Sequence, residues 1–458
     1  MSTKDAGGRV TAPVTAASRP TPELRPPSLR KNFAWTMAGN GTYFACQAGW
    51  LMVLAKLGGP AMVGRFAIGL AVCAPVVMFT RLQLRDIQAT DARDEYRFGD
   101  YLSLRLTSVA VGSGVIAAIA LLSGYTRPDV LTMLAIAAFR AVEGVSDVVY
   151  GLLQKWERFD LVSRSLMIKG PASVVALGSV FYLTGSLALG AVGIAAAWMG
   201  LLLLYDARNA RRLMRVHQLT EDLRPGSLWS RGRVRAAGRL VWLALPLGFV
   251  ALLDSLNQNV PRYAIQHYLG NEQLGFFAVM AYVVVAGNMV VSALANSAQP
   301  RLSRRYLHNI GAFRRLVWKL VQFGLALGAV AVIMVILLGR PFLAVFYTPE
   351  FAEHADAFVW IMLAAGVGFV ARFLVYSMTA ARYLRAQAPL YAAVLAVVAA
   401  LSWRLVPAHG LNGAAWASCA GMLVLVLGAG AVNLHAVRAR PGAAVAEQPL
   451  PGPSADLL

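Results

Sequence analysis

The sequence predicts an all-α integral membrane protein with about twelve transmembrane helices in two six-helix lobes and both termini on the cytoplasmic side. Three observations carry that prediction. The first is composition: 58% of the 458 residues are apolar and only 14% are charged, where a soluble domain carries about 25% charged residues, and the mean hydropathy is +0.58. The second is segmentation into apolar runs, and the third is where the 42 Lys and Arg residues fall between those runs.

A helix needs about 20 apolar residues to cross the hydrocarbon core. Runs that long are read at approximately 32–55, 60–80, 101–123, 129–151, 166–184, 187–205, 240–260, 273–297, 317–338, 355–379, 387–406 and 411–434. Loops on the cytoplasmic side of a membrane keep an excess of Lys and Arg. With the N-terminus inside, 33 of the 42 basic residues fall on the inner side. Lys56, Arg65, Arg127, Arg262, Arg340 and Arg404 fall at outer connections, and Arg105, Arg140 and Arg372 fall within spans. The reverse orientation violates the rule along the whole chain.

The longest internal connection, 206–239, contains nine Arg with Pro225 and Gly226 near its middle. It divides the chain into a lobe at 32–205 and a lobe at 240–435, and duplicated bundles with a substrate path between halves recur among transporters. Residues 1–31 and 436–458 read as disordered cytoplasmic tails, rich in Pro and lacking apolar runs, and the first of these has no apolar core for a secretory signal.

The net charge of +20 does not point to nucleic acid. The basic residues gather at one membrane face, where anionic lipid headgroups already supply a partner. Cys46, Cys73 and Cys419 lie inside apolar spans without metal-ligand spacing, which excludes a disulfide framework or a zinc site. No GxxxxGK[ST] motif indicates an ATP motor and no HExxH motif is found. No cofactor or metal is therefore expected beyond a coupling H+ or Na+.

Two inner connections carry more than a turn. Leu152, Trp156, Phe159, Val162 and Leu166 recur at helical spacing, predicting either an interfacial amphipathic helix or an extension of the fourth span. Residues 81–100 mix four Arg with Asp86, Asp91, Asp94, Glu95 and Asp100, the pattern of a solvated, salt-bridged loop.

Ionisable groups at bilayer depth are costly and mark functional candidates. Arg140, Glu143 and Asp147 fall within about 60° of one another on the fourth span. They form either a self-neutralising cluster or a hydrated wall in which Arg140 meets an anion and Glu143 and Asp147 exchange a proton or ion; the wall is preferred. On the seventh span Asp254, Asn257, Gln258 and Arg262 cover about 140°, predicting a cavity lining, with Asp254 a third coupling candidate, and Pro246 and Pro261 predict a bend. Arg372 on the tenth span is the counterpart of Arg140 if the lobes correspond. Arg65 and Arg105, closer to span ends, are expected to snorkel, and Gly39 and Gly41 to allow close packing.

The strings GNGTYFACQAGWLMVLAKLG at 39–58, MVGRFAIGLAVCAPVVMF at 62–79, LQLRDIQATD at 82–91, GDYLSLRL at 99–106, and GLLQKWERFD with MIKGP at 151–160 and 167–171 together resemble the Wzx-type polysaccharide-biosynthesis flippases. These belong to the superfamily of multidrug (MATE) antiporters and oligosaccharidyl-lipid and polysaccharide exporters. The match is most specific over 32–171; the second lobe matches by span pattern. The resemblance implies a two-lobed MATE-like bundle in a bacterial inner membrane. It also implies a polyprenyl-pyrophosphate-linked glycan turned from the cytoplasmic to the periplasmic leaflet, and polymerase or other assembly proteins as partners. A cationic lumen, general to such flippases, is consistent with Arg140 and Arg372, and with Arg262 near the outer mouth, whereas Glu143, Asp147 and Asp254 depart from it. Two other readings stay open. One is a cation-coupled drug or small-molecule antiporter of the same superfamily. The other is a membrane-embedded glycosyl- or acyltransferase, with His354 or His409 as the places to look.

Overall fold

The computed structural model describes residues 27–91, 95–217, 219 and 231–439. Most of the two expected tails, Asp94, and the middle of the 206–239 connection with Pro225 and Gly226 lie outside the described residues. Among the described residues every regular element is helical: α1 (Leu29–Arg81), α2 (Leu84–Thr90), α3 (Phe98–Leu122), α4 (Arg127–Lys155), α5 (Phe159–Thr184), α6 (Leu187–Leu201), α7 (Ala207–Val216), α8 (Arg231–His308), α9 (Ile310–Phe346), α10 (Pro349–Glu353), α11 (Ala355–Ala380) and α12 (Gln387–Arg438).

Three of these helices are hairpins. At 1.5 Å per residue a straight α1 would be about 80 Å long and α8 about 117 Å, several times a hydrocarbon core of about 30 Å. Each chain reverses at a glycine in the left-handed region: Gly59 (φ 74°) in α1, Gly270 (φ 82°) in α8 and Gly410 (φ 59°) in α12. Only glycine takes such a φ without steric cost. Around Gly59 the Trp50 and Phe66 rings meet at 5.9 Å. Around Gly410, Val398 packs on Gly421 and Leu390 on Gly428. Among the described residues, six hairpin arms with α3, α4, α5, α6, α9 and α11 make twelve long helical segments. Among the described residues, eight helices are apolar and long enough to cross a membrane by length and composition, and α4 is too charged to be among them.

Local chemistry sets several ends. Asn309 accepts from the Ala312 N–H at 2.8 Å to start α9, Asp100 accepts from the Arg97 N–H at 2.9 Å at the start of α3, and Gly185 closes α5 in the left-handed region. Asn309 and Asp100 satisfy with their side chains backbone groups that a helix end leaves unpaired. The expected amphipathic helix over 152–166 is not continuous. α4 runs to Lys155 and the chain turns through Glu157 (φ 54°). Arg158 then folds onto Asp160 at 2.8 and 3.0 Å, and α5 begins at Phe159. The sixth span does not stop at 205 either. It passes through a π turn, Leu202–Asp206, into α7, whose Arg208, Arg211, Arg212 and Arg215 are exposed while Ala210, Leu213 and Met214 are buried.

Helices α3 to α6 pack with α1, and α9, α11 and α12 pack with α8; α1 and α8 then pack on each other along their length. Pro246 and Pro261 lie inside α8 at positions with helical backbone angles, and the one non-helical position in that helix is Gly270. Gly39 lies against Ser163, as close packing requires, but a Cβ on Gly41 would meet open space.

A polar cavity between the two halves

The face bearing the Arg-rich connections is called the basic face below. At the other face the hairpins of α1 and α8 interlock: Gly64 abuts the Asn271 carbonyl and Gly275 abuts the Pro60 carbonyl. Further in, the Tyr282 hydroxyl donates to the Phe44 carbonyl and to Gln47 Oε1, both at 3.1 Å, and Tyr263 donates to the Ala71 carbonyl at 2.6 Å. Below this seal lies a cavity of about 790 Å³, walled by both halves and reaching Gln83 and Asp86 beside α2 and Thr379 at the end of α11. Those residues lie toward the basic face.

Of the predicted site residues, Arg140, Asp254, Gln258 and Arg262 line this cavity. Gln258 donates to Asp254 at 3.0 Å. Arg262 donates to Asn259 Oδ1 at 3.1 Å, its Nε has no acceptor, and among the described residues no ion pair joins it to a carboxylate. Arg140, in contrast, is fastened to Glu143 at 2.7 Å. The two cavity arginines are thus electrically different, one neutralised and one not.

Asn257 does not line the cavity. It is buried and donates to the Tyr391 carbonyl at 3.3 Å, an interhelical bond of the kind that holds membrane bundles together. Arg372 is half-buried and also absent from the wall.

Glu143 and Asp147 sit behind the wall inside the first half. Glu143 receives Arg140, Arg81 at 3.4 Å and the Tyr43 hydroxyl at 2.9 Å. Asp147 receives Arg85 at 3.5 Å and Arg105 at 3.4 Å. Arg105 is therefore no snorkeller: its side chain is 1% exposed and also donates to the Arg81 carbonyl at 3.1 Å. Arg65 is partly exposed and pairs with Asp129 at 3.5 Å. Nor is 81–100 a plain solvated loop, because α2 buries Leu84 and Gln88, and Arg81 before it and Arg85 within it reach Glu143 and Asp147 of α4.

Sequence reasoning missed Lys169 and Asp206. Lys169 was counted with the inner charges, yet it is 1% exposed, donates to Ser146 Oγ at 2.9 Å and Tyr150 Oη at 3.0 Å, and lies 4.0 Å from Asp206, which is 0% exposed. Its position three residues inside the expected span 166–184 was the available signal. His354 lies 4.3 Å from the Phe276 ring and His409 5.0 Å from Trp416, and no metal-binding cluster is found among the described residues.

A sequence profile described as "Polysaccharide biosynthesis protein" matches residues 29–305. The chain is 24% identical over 388 residues to "Capsular polysaccharide biosynthesis protein CapF" of Staphylococcus aureus, covering 84% of this chain and 94% of that one. Among solved structures, the fold resembles an inward-facing multidrug-resistance MATE family transporter of the MOP superfamily, with TM-score 0.66, 12% identity, and coverage of 89% of this chain and 96% of that one. It also resembles a mutant of the Vibrio cholerae MATE transporter VcmN, with TM-score 0.60, 14% identity, and coverage of 90% and 96%. The chain belongs to the polysaccharide biosynthesis protein family, as a multi-pass membrane protein with a MATE-like fold.

Proposed function

We propose that the chain turns a polyprenyl-pyrophosphate-linked oligosaccharide from the cytoplasmic to the periplasmic leaflet of a bacterial inner membrane. One observation carries the reading: an interlobe cavity that reaches the basic face, is sealed at the other, and holds in Arg262 a guanidinium without a carboxylate partner among the described residues. Sugar hydroxyls cannot enter hydrocarbon without losing their hydrogen bonds, so they need such a polar space, while the lipid tail stays in the bilayer. The negative charge of the pyrophosphate supplies what Arg262 lacks.

Rocking one half against the other would break the Gly64–Asn271 seal and expose the cavity to the far side. Asp254, which faces the cavity and is held by Gln258 alone among its hydrogen-bonding partners, is the proposed site of H+ or Na+ coupling. Glu143 and Asp147 are less suited because each is already held by two arginines.

The test is reconstitution into vesicles with a labelled polyprenyl-pyrophosphate glycan. Leaflet transfer is expected with the wild type and not with empty vesicles. Equal rates with and without the protein would overturn the proposal.

A further inference from the structure

We propose that α7 is a docking surface for the acidic phospholipid headgroups of the leaflet at the basic face. Arg208, Arg211, Arg212 and Arg215 fall within about 100° of one another around this helix, and all four are exposed. Ala210, Leu213 and Met214 occupy the opposite side and are buried, where α7 packs on α4 and the π turn. The arginines are therefore turned away from the protein, and among the described residues none of them joins an ion pair.

The neighbouring carboxylates leave this charge uncompensated. Asp206, the acid next to α7 in sequence, is 0% exposed and faces Lys169. The α4–α5 connection meets the end of α7 through the stack of His217 on Trp156. There Asp160 is fastened to Arg158 at 2.8 Å, and exposed Glu157 is balanced by exposed Arg164. Four positive charges remain on one flank of a helix whose other flank and end are fixed by packing, so the guanidinium groups are held ready for phosphate oxygens.

Depth selects lipid as the occupant. From Leu187, where α6 leaves the far face, to Asp206 at the end of the π turn is about 30 Å at 1.5 Å per residue, the thickness of the hydrocarbon core. Leu203 and Leu204, 62% and 74% exposed, end this apolar run about one turn before Arg208, on a flank that faces acyl chains. Arg208 then stands about 3 Å past the hydrocarbon boundary, and Arg211 and Arg212 about 8–9 Å past it. The headgroup layer is about 5–8 Å deep in each leaflet, so Arg208 lies within it and the next two lie at its outer edge, from where a long side chain reaches back. Other arginines of the basic face stand clear of it. Arg301, Arg304 and Arg305 are also exposed, but the second arm of α8 runs about 46 Å from Gly270 to Arg301, which carries them about 16 Å past a 30 Å core. A soluble acidic partner fits those better than it fits α7, whose first arginine lies among the headgroups. Acidic headgroups attract each Lys or Arg within a Debye length of the surface, and α7 supplies three at that depth.

Phosphatidylglycerol is the probe. The full chain is placed in lipid nanodiscs in a background without Cys46, Cys73 and Cys419. Leu204→Cys then carries a bimane fluorophore beside the stripe. Leu427→Cys carries it on α12, where Leu427 is 71% exposed and no Lys or Arg lies within two turns. Acyl-brominated phosphatidylglycerol and acyl-brominated phosphatidylcholine are compared as quenchers at equal mole fraction. At Leu204 the acidic lipid is expected to quench at least twofold more, and at Leu427 the two should quench alike. The preference at Leu204 should vanish when Arg208→Gln, Arg211→Gln and Arg212→Gln are combined, and should persist when Arg301→Gln, Arg304→Gln and Arg305→Gln are combined. High salt should erase it without any change to the arginines. Thermal midpoints identify the variants that fold, and the salt measurement stands if they do not. Equal quenching by the two lipids at Leu204 would overturn the dock and leave the stripe to a soluble acidic partner. Equal loss of the preference in both triple variants would overturn it as well, because the charge of the whole face rather than α7 would then gather the lipid.

Discussion

Gly64 in the second arm of α1 abuts the backbone carbonyl of Asn271 in α8, so closely that a Cβ on Gly64 would overlap it. Gly275 makes the reciprocal contact with the Pro60 carbonyl. A backbone atom cannot swing aside as a side chain can, so a single methyl group must push the hairpins apart. Gly64→Ala or Gly275→Ala is therefore expected to open the seal and shift the population toward a state exposed on the far side. Gln258→Cys in the cavity, in a background without Cys46, Cys73 and Cys419, provides the readout. An impermeant maleimide applied from the sealed side should label it several-fold faster in the alanine variants. Labelling at the wild-type rate would show that the glycine contacts do not hold the gate.

Arg262 and Arg140 line one cavity but should respond differently to truncation. A hydrogen bond to a charged group contributes about 1.5–3 kcal/mol, so Arg262→Ala is expected to slow glycan transfer at least tenfold while leaving the thermal midpoint near that of the wild type. Arg140→Ala removes one partner of the 2.7 Å pair with Glu143 and should lower the midpoint as well as the rate. The paired measurement is leaflet transfer in vesicles and thermal unfolding in detergent. An Arg262→Ala protein that is both unstable and fully active would refute the distinction.

The division of these roles was only partly legible in the sequence. The 100° rotation per residue places Arg140, Glu143 and Asp147 on one face of α4, and they do share one charged network. The same rule grouped Asn257 with Gln258, but the two are 100° apart and Tyr391 decides which of them meets the cavity. Lys169 and Arg105 were misread for a related reason. A cation near the basic end of a span looks like a loop charge until the helix start is known. α5 begins at Phe159 rather than near 166, which puts Lys169 ten residues, about 15 Å, along the helix. Hydrophobic length fixes how many times a chain crosses, but depth and partner depend on how the other helices pack.

His217, which closes α7, stacks on Trp156 at the end of α4 with ring centroids 3.4 Å apart, and this contact makes a pH-dependent prediction. Burial lowers the His217 pKa from its ordinary 6.5. Above that value both the folded and the unfolded chain hold the ring neutral, and His217 contributes no pH dependence. As the pH falls through 6.5 the unfolded chain takes up the proton first, so stability is lost until the lower folded pKa is passed. The wild-type thermal midpoint should therefore fall more between pH 7.5 and 5.5 than that of His217→Gln. Parallel loss in both proteins would place the pH dependence elsewhere.

Lys169 and Asp206 present the opposite case, a pair so deeply buried that its two members should not be separable. Lys169 Nζ is 4.0 Å from Asp206 and bonded to Ser146 and Tyr150, while Trp198 lies over it at 5.4 Å and donates to its backbone carbonyl at 3.2 Å. Asp206 comes from the π turn, whose extra residue shifts the helix face so that the carboxyl points inward just before the exposed arginines of α7 begin. Removing one member of a buried pair leaves the other charge unsolvated, at about 3–5 kcal/mol, whereas replacing both with apolar groups is often neutral. Lys169→Met and Asp206→Leu are each expected to lower the thermal midpoint sharply, and the double variant should recover most of the loss. Transfer activity of the double variant then decides the role. Activity near wild type marks the pair as a structural tie between α5 and the sixth span, while a stable but inactive double variant would show that its charges take part in transport.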